Sequence, residues 1–235
     1  EVTLQVSKPA AGVKQGIYLS FDEQKNELLK HILNDRKDYD SIIIFSSTKS
    51  KVGDIVHSLK RAGFPSKGIS SNLEQNEREE VLRGFRSKRT RILVATDVMS
   101  RGIDIKEINM VINYDVPNDA EDYVHRIGRT ARANTKGEAL TLVNPKDMRK
   151  MQRIEQLIEA SVPKLENPDS IGKGPEWRTS SGGKKKKHYG KKKFQGKKKG
   201  GGGHRKGGGN HKGGKKPHHR KKNHGPKGNS GQGSK

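Results

Sequence analysis

Short apolar runs alternate along the chain with stretches in which apolar residues recur every three or four positions, a pattern that predicts strands separated by helices. Lys14 to Leu19 fits a strand, and Leu28, Leu29, Ile32 and Leu33 then fall at helical spacing. Ser41 to Phe45 is a short β-branched run of the kind buried in a parallel sheet. Val52, Ile55, Val56 and Leu59 predict the next amphipathic helix, which Gly63 and Pro65 stop. A weaker strand, Ser66 to Ser70, precedes a helix across Gln75 to Phe85. Strands follow at Arg91 to Ala95, Met110 to Tyr114 and Glu138 to Val143, with helices starting near Asp119 and running from Lys146 to about Ala160. Strands joined through helices of this length predict an α/β sandwich on a parallel sheet with right-handed crossovers. Such sheets place ligands at the carboxyl ends of their strands, so the segments to search are Ser46–Ser50, Ser70–Arg78, Thr96–Asp104 and the surroundings of His125 to Arg132.

The periodic pattern stops near Gly172, and the charge changes there too. The chain has 235 residues, 50 Lys plus Arg and 26 Asp plus Glu, a net charge of +24. Residues 1–172 hold 28 basic and 25 acidic side chains, a net of +3, whereas 173–235 hold 22 basic and only Glu176, a net of +21. The second segment also takes 18 of the 28 glycines. Its few apolar groups cannot offset the conformational entropy of ordering, so a disordered tail rich in Lys, Gly and His is expected over 173–235, after a folded domain at 14–172 and a linker remnant at 1–13. No cysteine is present, which excludes disulfides and thiolate metal sites and suits a reducing cytoplasm. No apolar run exceeds four residues, as in Ile42 to Phe45, against roughly 20 for a membrane span, so no membrane role is expected. Glu1 to Pro9 carries no basic leader and no signal core and reads as a cut inside a longer protein.

Four groups at expected strand ends carry chemistry. In "ATDVMSRGID", Ala95 to Asp104, the Thr96 hydroxyl and turn amides can donate to phosphate, and Asp104 can accept from a ribose hydroxyl. The alternative is an ordinary turn, with Thr96 and Asp97 as caps and Asp104 paired to Arg101. In "YVHRIGRTARA", Tyr123 to Ala133, arginines can fork onto phosphate oxygens. A solvated helix face usually matches such cations with acids four residues earlier. Arg126 has Asp122 in that register, but the positions before Arg129 and Arg132 are His125 and Gly128. Two like charges on one face call for an external anion if the helix runs on. Gln75 and Arg78 share a helical face, although Asn72 to Gln75 also reads as a capping box with Asn72 as cap. Ser46, Ser47, Thr48 and Lys49 can track a nucleic-acid backbone or simply cap a helix.

In order and spacing these elements resemble the carboxyl-terminal RecA-like domain of DEAD-box RNA helicases, especially the bacterial RhlE type, from about Lys14 to Val143. "IIIFSST" is similar to motif IV, "QNER" to the Gln-x-x-Arg element, "VATDVMSRGID" to motif V and "HRIGRTAR" to motif VI. The resemblance implies a RecA-like three-layer sandwich and an ATP hydrolase that unwinds short RNA duplexes by closing a cleft. It implies Arg129 and Arg132 as arginine fingers, His125 as a link to the partner domain, and Asp104, with Arg126 and Gly102, at the nucleotide. It implies Thr96, Arg78, Gln75, Ser47 and Thr48 at the RNA backbone. Ser70 and Ser71 replace the usual His-Gly pair, and Ala131 and Asn134 replace common glycines of motif VI.

The family also needs a phosphate-cradling loop and an acidic box for Mg²⁺, and neither is present. Gly209 to Lys215 spells GxxxxGK but Lys216 follows, and no strand or helix flanks it. ATP and Mg²⁺ are therefore expected to be held mainly by an amino-terminal RecA-like domain outside this chain, and the fragment alone is expected to be inactive. The tail's lysine clusters, beginning with Lys184, Lys185, Lys186 and Lys187, are expected to bind RNA without sequence preference. A coil of that length reaches about 45 Å. A non-catalytic RNA-binding or annealing module and the corresponding domain of a DNA helicase are the other readings.

Overall fold

The computed structural model describes residues 12–97, 108–130 and 137–178. The strands are β1 (Val13–Leu19), β2 (Ile42–Phe45), β3 (Ser66–Ile69), β4 (Ile92–Ala95), β5 (Met110–Asn113), β6 (Gly137–Val143) and β7 (Lys164–Leu165). They form one sheet in the order β3-β4-β2-β5-β6-β1-β7, with every pair parallel. The helices are α1 (Lys25–Asn34), α2 (Lys49–Arg61), α3 (Gln75–Arg86), α4 (Ala120–Ile127) and α5 (Met148–Leu157).

Alternation along each central strand builds three layers. Ile42, Ile44, Ile92, Val94, Met110 and Ile112 point to α1 and α2, whose Leu28, Ile32, Ile55 and Leu59 complete that core. Ile43, Phe45, Leu93 and Val111 point the other way, to Leu82 and Phe85 of α3. On the same side, farther along the sheet, Tyr123 and Ile127 of α4 and Met151 and Ile154 of α5 cover Ile17, Ala139 and Val143. Burial on both faces explains why β2 and β4 read as unbroken apolar runs: all eight residues are at most 1% exposed, each large one contributing about 1.5–3 kcal/mol.

Local signals set the helix ends. The Thr48 hydroxyl accepts from the Lys51 amide to start α2, and Gly63, at φ +81°, follows its end. The Asp119 carboxylate accepts from the Glu121 amide to start α4. The expected Asn72 cap moves two residues: α3 starts after Glu74, whose amide donates to the Glu77 carboxylate at 2.9 Å. The packed chain also continues past the expected boundary at 172. Trp177 packs against the α4 and α5 core with Lys164 Nζ 4.7 Å from its ring centre, and Gln152 donates to the Arg178 carbonyl. Gly174 sits so close to Leu19 O that an added Cβ would overlap it.

Candidate functional site

β4, β2 and β5 are neighbours, and their carboxyl ends deliver Thr96 and Asp97, Ser46 and Ser47, and Asp115 to one edge. Asp115 organises that edge. Only 4% exposed, it accepts from the Ser47 amide at 2.9 Å, Ser47 Oγ at 2.8 Å, Ser46 Oγ at 3.2 Å, Lys51 Nζ at 2.9 Å and Lys25 Nζ at 3.4 Å. Burial pushes its carboxyl up, but the Ser47 amide, the two ammonium groups and the Ser47 hydroxyl outweigh that and hold it well below the ordinary carboxylate range. Lys25, 1% exposed, also donates to Tyr114 O at 2.9 Å. The Tyr114 phenol is pushed up to about 12, first by burial and then by the Asp115 charge.

Arg126 forms the second tie. Its Nε and Nη2 meet Asp97 Oδ1 and Oδ2 at 2.5 and 2.7 Å, while Nη1 donates to Asn113 Oδ1 at 3.0 Å and Asp115 O at 2.9 Å. The guanidinium carbon lies 5.0 Å from the Phe45 ring centre, and the residue is 3% exposed. The expected helical partner was Asp122 and the expected ligand a nucleotide. The fork instead closes bidentately on Asp97, 29 residues away, so Arg126 is an internal strut between the ends of β4 and β5.

The helix does not run on to Arg129, the condition on which the spacing argument rested. α4 ends at Ile127, and Arg129 and Thr130 lie in the turn that follows, their amides donating to Arg126 O and Ile127 O at 3.1 Å each. Thr130 Oγ1 donates to Ile108 O at 2.7 Å, and an added Cβ on Gly137 would stand 2.4 Å from that oxygen. Ile108 precedes β5 and Gly137 opens β6, so this turn lies at the amino end of the strands. The expectation of one carboxyl-edge site is corrected: along the strand direction Arg129 and Thr96 lie about the length of β5 apart, roughly 13 Å. His125, in the last turn of α4, is exposed.

The RNA candidates divide. Ser47 is exposed but bound to Asp115, and Thr48 is the cap of α2. Gln75 begins α3 and donates to Glu79 at 3.0 Å; Arg78 follows one turn later, half-buried. Lys49 Nζ reaches Asn72 Oδ1 at 3.1 Å, joining the loop after β2 to the approach to α3. Gly102, Asp104, Arg132 and Lys184 to Lys187 lie outside the described residues. Sequence reasoning missed Asp115, Lys25 and Asn113. Lys25 left a signal, since with Leu28, Leu29 and Ile32 it occupies the buried stripe of α1.

Known proteins share the sequence and fold of this chain. The helicase conserved C-terminal domain family matches residues 24–134. The ATP-dependent RNA helicase DBP2 of Ajellomyces capsulatus is 40% identical over 164 residues, which are 66% of this chain and 30% of that protein. The ATP-dependent RNA helicase DeaD of Haemophilus influenzae is 40% identical over 172 residues, 73% of this chain and 28% of that protein. The chain thus spans about 30% of the length of these relatives. The E. coli DEAD-box protein SrmB, solved bound to regulator of ribonuclease activity A, matches with a TM-score of 0.65 at 30% identity, covering 71% of this chain and 96% of that one. S. cerevisiae Dbp5, solved bound to RNA and ADP BeF3, matches with a TM-score of 0.63 at 29% identity, covering 67% and 42%. Motif order, parallel sheet and matched sequence coincide, and the chain belongs to the DEAD-box RNA helicases, whose C-terminal helicase domain it carries.

Proposed function

We propose that this chain is the second RecA-like domain of an ATP-dependent RNA helicase of the RhlE type, acting in a bacterial cytoplasm. It would hold an RNA strand by its sugar–phosphate backbone and bring arginines to ATP bound with Mg²⁺ on an amino-terminal RecA-like domain. One observation carries the reading. Arg126 ties the Thr96–Asp97 loop to the end of β5, Asp115 ties Ser46 and Ser47 to the same place, and the helix bearing Arg126 delivers Arg129 just beyond its end. The groups assigned to RNA and the group assigned to phosphate therefore stand on one hydrogen-bonded frame. The Dbp5 relative, solved with RNA and ADP BeF3 together, supports joint binding in that protein.

The described residues fit part of a nucleotide site. Arg129 is half-buried in a set turn, suited to aiming charge at a phosphoryl group. The Arg126 fork is taken up by Asp97, so in this reading it braces the site and does not touch the nucleotide. Among the described residues no group of three or more His, Cys, Asp or Glu side chains could hold a metal ion. Mg²⁺ would be held by the other domain and would neutralise charge on the phosphates. Arg132, Asp104 and Gly102 take their roles from their motifs alone. Closure of the cleft would bring Arg129 and Arg132 to the γ-phosphate while the carboxyl edge bends the RNA strand and expels its complement. Contacts confined to the backbone make recognition independent of sequence. Replacing Arg129 by Ala in a protein carrying both domains should lower ATP turnover about 10³-fold with little change in RNA affinity; undiminished turnover refutes the assignment.

A second reading, a module that binds or anneals RNA without hydrolysis, is favoured by the +21 charge of residues 173–235. It predicts duplex binding by this chain that ATP does not alter.

A further inference from the structure

Between Glu80 and Asp97 the chain carries five cations, Arg83, Arg86, Lys88, Arg89 and Arg91, and no carboxylate. Two have internal partners. Arg91 donates from Nε to Tyr39 O at 2.7 Å and from Nη2 to Leu33 O at 3.1 Å, and Lys88 pairs with Asp40 at 2.8 Å. Arg83, Arg86 and Arg89 are exposed. Glu79 stands four residues before Arg83, in register to neutralise it, but accepts instead from Gln75. Among the described residues Arg83, Arg86 and Arg89 form no ion pair, and the one side-chain hydrogen bond of Arg89 is to Ser87 Oγ at 3.1 Å.

These cations continue a face that begins at the carboxyl edge. With 3.6 residues per turn, Gln75, Glu79, Leu82 and Arg86 fall within about 60° of one another, and Arg83 lies just beside them. Gln75 and Arg86 are therefore on one stripe about 16 Å apart along the axis. Glu79, Leu82, Arg83, Arg86 and Ser87 line a surface cleft of about 620 Å³. Complementing the helix dipole accounts for Arg83 and Arg86 in the last turn. It does not account for Arg89 beyond the helix, nor for the missing acids.

We propose that the carboxyl half of α3 with Arg89 is a second phosphate-binding surface, which engages the RNA strand beyond the nucleotides held at the carboxyl edge. The inference rests on the RNA-binding reading above and extends its path. RNA suits this face better than an acidic protein segment because guanidinium forks match phosphate oxygens and because the stripe is continuous with Gln75, next to Arg78.

The test is arginine modification by phenylglyoxal in the full chain, mapped by mass spectrometry, with RNA of about 20 nucleotides and of about 6, the shorter spanning little beyond the carboxyl edge. The longer RNA should protect Arg78, Arg83 and Arg86, and the shorter RNA only Arg78. In parallel, the triple variant Arg83→Gln, Arg86→Gln, Arg89→Gln should reduce the slope of log affinity against log salt by about 2 for the longer RNA and leave the shorter unchanged. Protection of Arg78 without Arg83 and Arg86 overturns the extension and leaves the carboxyl-edge reading standing. No protection at any of the three overturns both. Equal protection of Arg83 and Arg86 by polyglutamate overturns the choice of RNA.

Discussion

Removing the Asp115 carboxylate should be among the most costly changes available at the site. In Asp115→Ala the Lys25 ammonium, 1% exposed, keeps Tyr114 O at 2.9 Å, the Tyr114 ring centre at 5.2 Å and the solvent-facing Asp22 carboxylate at 3.5 Å, but no buried counter-charge. Leaving one member of a buried pair uncompensated costs about 3–5 kcal/mol. The Ser47 amide also loses its acceptor, but Ser47 is exposed and water can replace it. The expected loss is therefore about 3–4 kcal/mol, a large share of a domain's usual 5–15 kcal/mol. Urea unfolding at neutral pH measures it. Two further measurements separate charge from packing. The double variant Lys25→Met, Asp115→Leu removes both charges together and should be more stable than Asp115→Ala alone. Because Asp115 has a lower pKa folded than unfolded, the unfolded chain binds its proton first, so the stability it contributes is complete above about pH 5 and fades as pH falls through 4 toward its folded value. Asp115→Asn should accordingly lose less stability than the parent between pH 5 and 3. A loss under about 1 kcal/mol for Asp115→Ala, or a double variant as unstable as the sum of its singles, would refute the reasoning.

Other perturbations test the frame at different points. Gly137→Ala puts a methyl group 2.6 Å from Thr130 O. It should cost about 1–3 kcal/mol in urea unfolding and, where both domains are present, lower ATP turnover by displacing Arg129; full stability with full turnover would show that the turn is not held there. Arg126→Lys keeps the charge but cannot fork onto Asp97, and about 3 kcal/mol of stability should go with it; a thermal midpoint equal to the parent's would show that the fork on Asp97 does not hold the strand ends. Deleting residues 179–235, which spares the packed Trp177, should leave stability unchanged while duplex-RNA binding loses most of its salt dependence; an unchanged salt slope would remove the tail from RNA binding.

The sheet and its helices were legible because the evidence for them is local. An unbroken run such as Ile42 to Phe45 requires burial on both faces, and a 3.6-residue period requires one buried stripe, so each element declares its surroundings. The partners of the charged groups were not legible for the converse reason. Register arithmetic can match Arg126 with Asp122 but has no access to Asp97, which reaches the same point only because β4 and β5 both flank β2. Lys25 and Asp115 stand 90 residues apart and meet through the same topology. The shift of the α3 cap from Asn72 to Glu74 is a smaller case, since both stretches contain a capping pattern and Asn72 is engaged by Lys49 instead.

Those long-range partners change what the domain's net charge of +3 means for binding. Arg36 is held by Glu138 in a two-pronged pair at 2.7 and 2.8 Å, Arg91 by main-chain carbonyls, Arg126 by Asp97, and Lys25 by Asp115 and Tyr114 O. Each was available to the sequence as a phosphate ligand, and each is turned inward to fasten strand ends and helix ends. Arg83, Arg86 and Arg89, along and just past the far half of α3, stay exposed instead, on a frame whose rigidity comes from the buried ones. This division predicts opposite behaviour under salt: exposed arginines and the tail lose affinity as counterions compete, whereas the buried ties, screened from solvent, keep the carboxyl edge and the Arg129 turn in register.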